Sequence, residues 1–130
     1  MKNRILIVDD LYANRYLLEE IFDEYEVYSV SDGDQMREIL KTVKPDVILM
    51  DVNLPDQDGY ELTKELKFNQ STKNIPVIFL TVHNTKYDVI HGFKAGGVDF
   101  VVKPFDENDL KSRVEKILKD KNTGEVIGDL

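Results

Sequence analysis

The chain has 130 residues, 42% of them hydrophobic, enough for one domain with a core and too few for two. Its formal charge of -8, from 25 acidic against 17 basic residues, opposes contact with a polyphosphate backbone, so no direct nucleic-acid partner is expected. There is no cysteine, which excludes a disulfide scaffold and Cys-ligated metals. The amino end carries only Ile5-Leu6-Ile7-Val8 before two aspartates. That run is too short for a signal or membrane segment, and a soluble, cytoplasmic protein without a membrane partner is expected.

In chain order, Ile5-Leu6-Ile7-Val8 is the first strand and stops at Asp9-Asp10. So uniformly apolar a run suits a parallel strand buried on both faces. Helical spacing follows from Ala13 to Tyr25, with Leu17, Leu18, Ile21 and Phe22 on one stripe. Glu26 to Val30 is a more polar strand suited to a sheet edge. Gln35 to Val43 offers Met36, Ile39 and Leu40 as a second helical stripe, and Val47-Ile48-Leu49-Met50 is a third strand ending at Asp51. Asp58 to Phe68 places Tyr60, Leu62 and Leu66 on a third helix, after which Val77-Ile78-Phe79-Leu80 ends at Thr81. A fourth helix from about Thr85 to Ala95 stops at Gly96-Gly97. Phe100-Val101-Val102 then leads into Lys103-Pro104, and a fifth helix follows with Asp106 as N-cap, Asp109 at its third position, and Leu110, Val114, Ile117 and Leu118 as its stripe. The domain is expected over residues 1–120, with 121–130 a C-terminal tail or the start of a linker.

Strand and helix alternate five times, which predicts right-handed crossovers and an α/β, doubly wound parallel sheet with helices on both faces. Ligands of such sheets sit outside the carboxyl ends of the strands. At those ends the chain delivers Asp9 and Asp10, Asp51, Thr81 and Lys103. Adjacent carboxylates raise each other's pKa unless a cation compensates them. Mg²⁺ suits an all-oxygen site that takes one or two carboxylates plus a phosphate, and zinc is disfavoured without Cys or clustered His. Singly, Asp9-Asp10 reads as a loop start, Thr81 as a strand residue and Lys103 as a surface charge. Together, a carboxylate nucleophile, a metal, a hydroxyl and an ammonium are the set that stabilises phosphoryl transfer, which is mainly positioning and electrostatics.

On Ile7-Val8-Asp9-Asp10, Asp51-Val52-Asn53-Leu54-Pro55 with Asp58-Gly59, Thr81, and Lys103-Pro104-Phe105, the chain resembles the receiver domain of two-component response regulators over about residues 3 to 119. The resemblance implies a five-stranded, flavodoxin-like (βα)5 fold with strand order 2-1-3-4-5. It implies that Asp51 accepts a phosphoryl group from the phosphohistidine of a sensor histidine kinase or phosphotransfer protein. Asp10, Asp51 and the backbone carbonyl of Asn53 would ligate Mg²⁺ directly, and Asp9 would act mainly through metal-bound water. Thr81 and Lys103 would hold the phosphoryl oxygens. Phe100 matches the switch aromatic that moves inward with the hydroxyl residue. The face of the fourth helix, fifth strand and fifth helix would then control an output domain, a partner or a second copy. Such a domain is a signalling switch and not an enzyme beyond its own phosphorylation and dephosphorylation.

Lys103-Pro104 matches a position where the family favours a cis peptide. Val82 replaces the usual small residue and is expected to crowd the pocket. His83 falls where hydrolysis of the acyl phosphate is tuned, and His91 receives no role. Two alternatives are a receiver-like interaction module that is not phosphorylated and an Mg²⁺-dependent aspartyl-phosphate phosphatase. A haloacid-dehalogenase-like phosphatase wants a second Asp where Asn53 stands, and the complete acidic set argues against a silent module. A flavin carrier would need a Ser/Thr/Gly-rich loop where Asp9-Asp10-Leu11-Tyr12 lies.

Overall fold

The computed structural model describes residues 2–55, 57–83 and 85–128, with side chains described through residue 120. The elements are β1 (Arg4–Val8), α1 (Tyr12–Ile21), β2 (Glu26–Val30), α2 (Gly33–Ile39), β3 (Val47–Asp51), α3 (Gly59–Phe68), β4 (Val77–Thr81), α4 (Lys86–Ala95), β5 (Asp99–Val102) and α5 (Glu107–Gly128). All strands are parallel in the order β2-β1-β3-β4-β5. This is the doubly wound, flavodoxin-like sheet expected from the alternation and the resemblance.

Composition explains the order. β3 and β4 are buried at every position, while β2, with Glu26 and Ser29, is only partly covered and occupies one edge. Period-2 alternation divides the core between the two sheet faces. Leu6, Val8, Ile48, Met50 and Phe79 pack with Met36, Tyr60, Leu62 and Leu66 from α2 and α3. Ile5, Ile7, Leu49, Ile78 and Leu80 pack on the opposite face with Leu18, Ile21 and Phe22, and with Leu110, Val114 and Leu118 of α5.

The helices start where their capping chemistry permits. Asp32 accepts from the Gln35 N–H and starts α2 two residues earlier than its apolar stripe indicated, and the helix closes at Ile39 instead of reaching Val43. Asp58 caps α3 through the Tyr60 N–H, Thr85 and Asp88 form a reciprocal capping box on α4, and Asp106 accepts from Asn108 and Asp109 at the start of α5. Gly96 ends α4 with φ 112°, a left-handed conformation that costs glycine little.

Two expectations about α1 are corrected. α1 closes at Ile21 and does not extend to Tyr25. Leu17, expected in its buried stripe, is 49% exposed, because Leu18 and Ile21 take the sheet-facing side. α5 continues to Gly128, so residues 121–128, expected as a C-terminal tail or the start of a linker, have helical backbone, which leaves that expectation standing; residues 129–130 lie outside the described residues. Their sequence contains no proline to stop the helix.

The turn from β3 into α3 fixes the most important strand end. Gly59 N–H donates to the Val52 carbonyl at 2.8 Å, and a Cβ on Gly59 would collide with the Asp51 carbonyl oxygen and lie 2.9 Å from Val52 Cα. Backbone cannot yield as a flexible side chain can. Gly59→Ala is therefore expected to lower the free energy of unfolding by about 2 kcal/mol, checked by urea denaturation; parental stability would show that the turn relaxes freely.

Candidate functional site

The carboxyl ends of β1, β3, β4 and β5 converge, as their adjacent places in the sheet require. Asp9 follows β1 and is 1% exposed. Its Oδ1 accepts from the Leu11 N–H at 2.9 Å, and its Oδ2 accepts from Asn14 Nδ2 at 3.3 Å and from Lys103 Nζ at 3.2 Å. Arg15 Nη1 donates to the Asp9 carbonyl at 2.8 Å, so the first turns of α1 hold both ends of this residue. Among the described residues, no side-chain hydrogen bond engages the half-buried carboxylate of Asp10.

Asp51 ends the fully buried β3 and is 8% exposed. Its Oδ1 accepts from the Asn53 N–H at 3.2 Å and stands 3.9 Å from Lys103 Nζ. Burial pushes the Asp51 carboxyl above the ordinary carboxylate range; Lys103 opposes this, and the charges of Asp9 and Asp10 add to it. Asp9, Asp10 and Asp51 each offer an oxygen, all within 4.8 Å of one another. An ion about 2.1 Å from each ligand spans oxygens up to about 4.2 Å apart, so a small closing movement suits this donor set to Mg²⁺.

Thr81, at the end of β4, is almost wholly buried; its Oγ1 accepts from the His83 N–H at 3.1 Å, and its carbonyl accepts from the Lys103 N–H at 2.8 Å. The chain end carrying the hydroxyl is thus tied to the chain end carrying the ammonium. The Lys103–Pro104 peptide is cis. Phe100 is half-buried beside Phe79 at a ring-centroid distance of 6.3 Å. Val82 is 62% exposed and so stands on the rim, not in the core.

Several contacts around the site were not foreseen, although Asn53 and His83 themselves were singled out. Asn14 and Arg15 are legible only once Asp9 is known to face the first turns of α1. Asn53 Nδ2 donates to His83 Nε2 at 2.8 Å, joining the loops after β3 and β4 beside Asp51. His91 also has a packing role: its ring stacks on Tyr60 at 4.5 Å, while burial pushes the Tyr60 hydroxyl up to about 12 and that hydroxyl donates to the Asp88 carbonyl.

The fold is that of receiver domains, and a family model described as the response regulator receiver domain matches residues 5–115. The chain belongs to that family. It is 37% identical over 121 residues to the response regulator PleD of Caulobacter vibrioides, covering 92% of this chain and 27% of that protein. It is 35% identical to the alkaline phosphatase synthesis transcriptional regulatory protein PhoP of Bacillus subtilis, covering 92% of this chain and 50% of that one. The chain thus spans half the length or less of these relatives. Among solved structures, the signal receiver domain of a signal transduction histidine kinase from Syntrophus aciditrophicus superposes with a TM-score of 0.83 at 34% identity, covering 90% of each chain. The receiver domain of a sensor histidine kinase from Pseudomonas aeruginosa, with a magnesium ion coordinated in its active-site cleft, gives a TM-score of 0.82 at 30% identity, covering 92% of this chain and 99% of that one. Among the described residues no helix is long and apolar enough to cross a membrane.

The raised pKa of Asp51 has a consequence for stability. Below the unfolded-state carboxylate pKa the group is protonated in both states and contributes nothing. As pH rises through the window between the unfolded and folded values, the unfolded chain loses the proton first, so the folded state is progressively disfavoured. Asp51→Asn is expected to unfold at higher urea than the parent at pH 7 in metal-free buffer, with the gap closing as pH falls below that window. A parent as stable as the variant at neutral pH would contradict the burial penalty.

Proposed function

We propose that this receiver domain is phosphorylated on Asp51 with Mg²⁺ as cofactor, and that phosphorylation changes its α4-β5-α5 face. The observation that carries the reading is the convergence of three carboxylates on one ammonium, with a buried hydroxyl at the neighbouring strand end. In the reaction an Asp51 carboxylate oxygen attacks the phosphorus of a phosphohistidine. The new O–P bond forms as the N–P bond breaks, the electron pair returns to the imidazole, and that ring takes up a proton from solvent. Bound between Asp10, Asp51 and the Asn53 carbonyl, Mg²⁺ would neutralise charge on the phosphoryl oxygens.

This chain's own groups do the remaining work. The Asp9 carboxylate accepts from one N–H, one amide and one ammonium, and suits orientation of metal-bound water better than nucleophilic attack. Lys103 Nζ, already near Asp51, is placed to pair with an incoming phosphoryl oxygen. The Thr81 hydroxyl accepts one hydrogen bond and keeps its proton to donate. Because Thr81 O and Lys103 N–H are bonded, movement of the hydroxyl toward the phosphoryl group is transmitted to the end of β5, where Phe100 lies on the same strand. Such a shift repopulates two arrangements of the face that α4, β5 and α5 share.

The partners that fit are a sensor histidine kinase or phosphotransfer protein as donor and an output domain or second copy as reader, the donor having access to an open apolar groove lined by Asn14, Leu17, Leu18, Lys103, Pro104 and Phe105 beside the site. Residues 1–120 would form the receiver, with 121–130 leading onward. The activity of the whole protein rests with whatever output the receiver controls.

Acetyl phosphate with Mg²⁺ is expected to label the parent protein on Asp51 alone, located by borohydride trapping and mass spectrometry. No labelling is expected in Asp51→Asn or without Mg²⁺. Label mapping mainly elsewhere, or persisting in Asp51→Asn, would reject the assignment.

A further inference from the structure

Arg37 stands on α2, away from the carboxylates, yet its guanidinium joins three other side chains. Nε and Nη2 donate to the two carboxylate oxygens of Glu65 on α3 at 2.7 and 2.8 Å, and Nη1 donates to Asp34 at 2.9 Å. Nη2 also donates to Gln57 Oε1 at 2.7 Å. The side-on pairing with Glu65 fixes the plane of the guanidinium. A clamp of this kind aims Nη2 at Gln57, where a lone flexible side chain would sample many directions.

Gln57 lies in the loop between β3 and α3, the loop that carries Asn53. The base of that loop is closed by the Gly59 N–H to Val52 carbonyl bond and by a bridge between Asn53 and Asp58. Toward its tip, the described anchors are the buried side chain of Leu54 and the Arg37–Gln57 bond. An open cleft lies between Asp10 and this loop, lined by Asp10, Asn53, Pro55, Gln57 and Asp58 among others. Clipping α2 to α3 needs only Glu65. The bond to Gln57 reaches past that clip into the wall of the cleft.

We infer that Arg37 is a positioning residue for the metal site: through Gln57 it holds the β3–α3 loop at the distance from Asp10 that a bound cation requires. The inference rests on the metal-site reading given above. It concerns a bond made before any ion arrives, so its loss is felt in the metal-free protein as well.

The test titrates Mg²⁺ into the parent, Arg37→Met, Gln57→Leu, the double variant and Glu65→Gln, followed by calorimetry and amide NMR shifts, with urea stability measured for each. Arg37→Met and Gln57→Leu are each expected to weaken Mg²⁺ binding about tenfold, the scale of one hydrogen bond to a charged group. The double variant should be no weaker than either single one. Glu65→Gln, which loosens the clamp but leaves Nη2 its bond to Gln57, should lose stability and weaken Mg²⁺ binding less than Arg37→Met does. Without metal, hydrogen exchange at the Asn53 and Gln57 amides should accelerate in Arg37→Met and Gln57→Leu, and by more than in Glu65→Gln. Parental affinity and exchange in Gln57→Leu would overturn the inference, as would an affinity loss in Glu65→Gln equal to that of Arg37→Met. A parent that binds no Mg²⁺ would instead overturn the metal-site reading, and this inference with it.

Discussion

Lys103 Nζ lies 3.2 Å from Asp9 and 3.9 Å from Asp51, with its side chain only 17% exposed. Unit charges about 5 Å apart interact by roughly 3 kcal/mol at an effective dielectric near 20. Three carboxylates make three repulsive pairs of about that size, against two close contacts to a single ammonium. The lysine therefore makes the cluster tolerable without neutralising it, and an excess of negative charge remains among oxygens that face one another. That imbalance is the property a divalent cation can exploit. Burial of Asp51 at the end of β3 pushes its carboxyl up, Lys103 opposes that rise, and the charges of Asp9 and Asp10 add to it.

The sheet order makes this electrostatic arrangement possible. β1, β3 and β4 are consecutive in the sheet, so Asp9, Asp51 and Thr81 arrive side by side although long stretches of chain separate them. Lys103 comes from the opposite edge, 94 residues from Asp9, and its backbone is tied to Thr81. Rigidity comes from buried aliphatic strands below the cluster, and adaptability from the loops above it. Asn53, Gln57 and His83 sit in those loops, where hydrogen bonds to Asp51, Arg37 and one another replace packing as the source of order.

Much of this was legible in the order of residues. The uninterrupted apolar runs in β1, β3 and β4 announce parallel strands because no polar position breaks them, and each run ends where the carboxylate or hydroxyl stands. Asp58, Thr85 and Asp106 marked helix starts by a local mechanism that tertiary structure did not override. Leu17 was misplaced because periodicity identifies a stripe but not which of two adjacent leucines faces the sheet. The hold of Arg15 on the Asp9 carbonyl, the Asn53–His83 pair and the reach of Arg37 to Gln57 were invisible for another reason. Each involves a polar side chain of a type ordinary on a surface, and only the folded geometry brings it to its partner.

The decisive property is a carboxylate cluster that remains short of positive charge in the folded state. An ion that binds only that cluster must stabilise the native protein in proportion to the logarithm of its concentration once above its dissociation constant. Thermal unfolding followed across a Mg²⁺ series at constant ionic strength measures this directly. The parent should melt at steadily higher temperature as Mg²⁺ increases, and Asp10→Asn should lose most of that rise while folding normally. A parent whose melting temperature ignores Mg²⁺, or an Asp10→Asn protein that responds as the parent does, would contradict the electrostatic origin of the site.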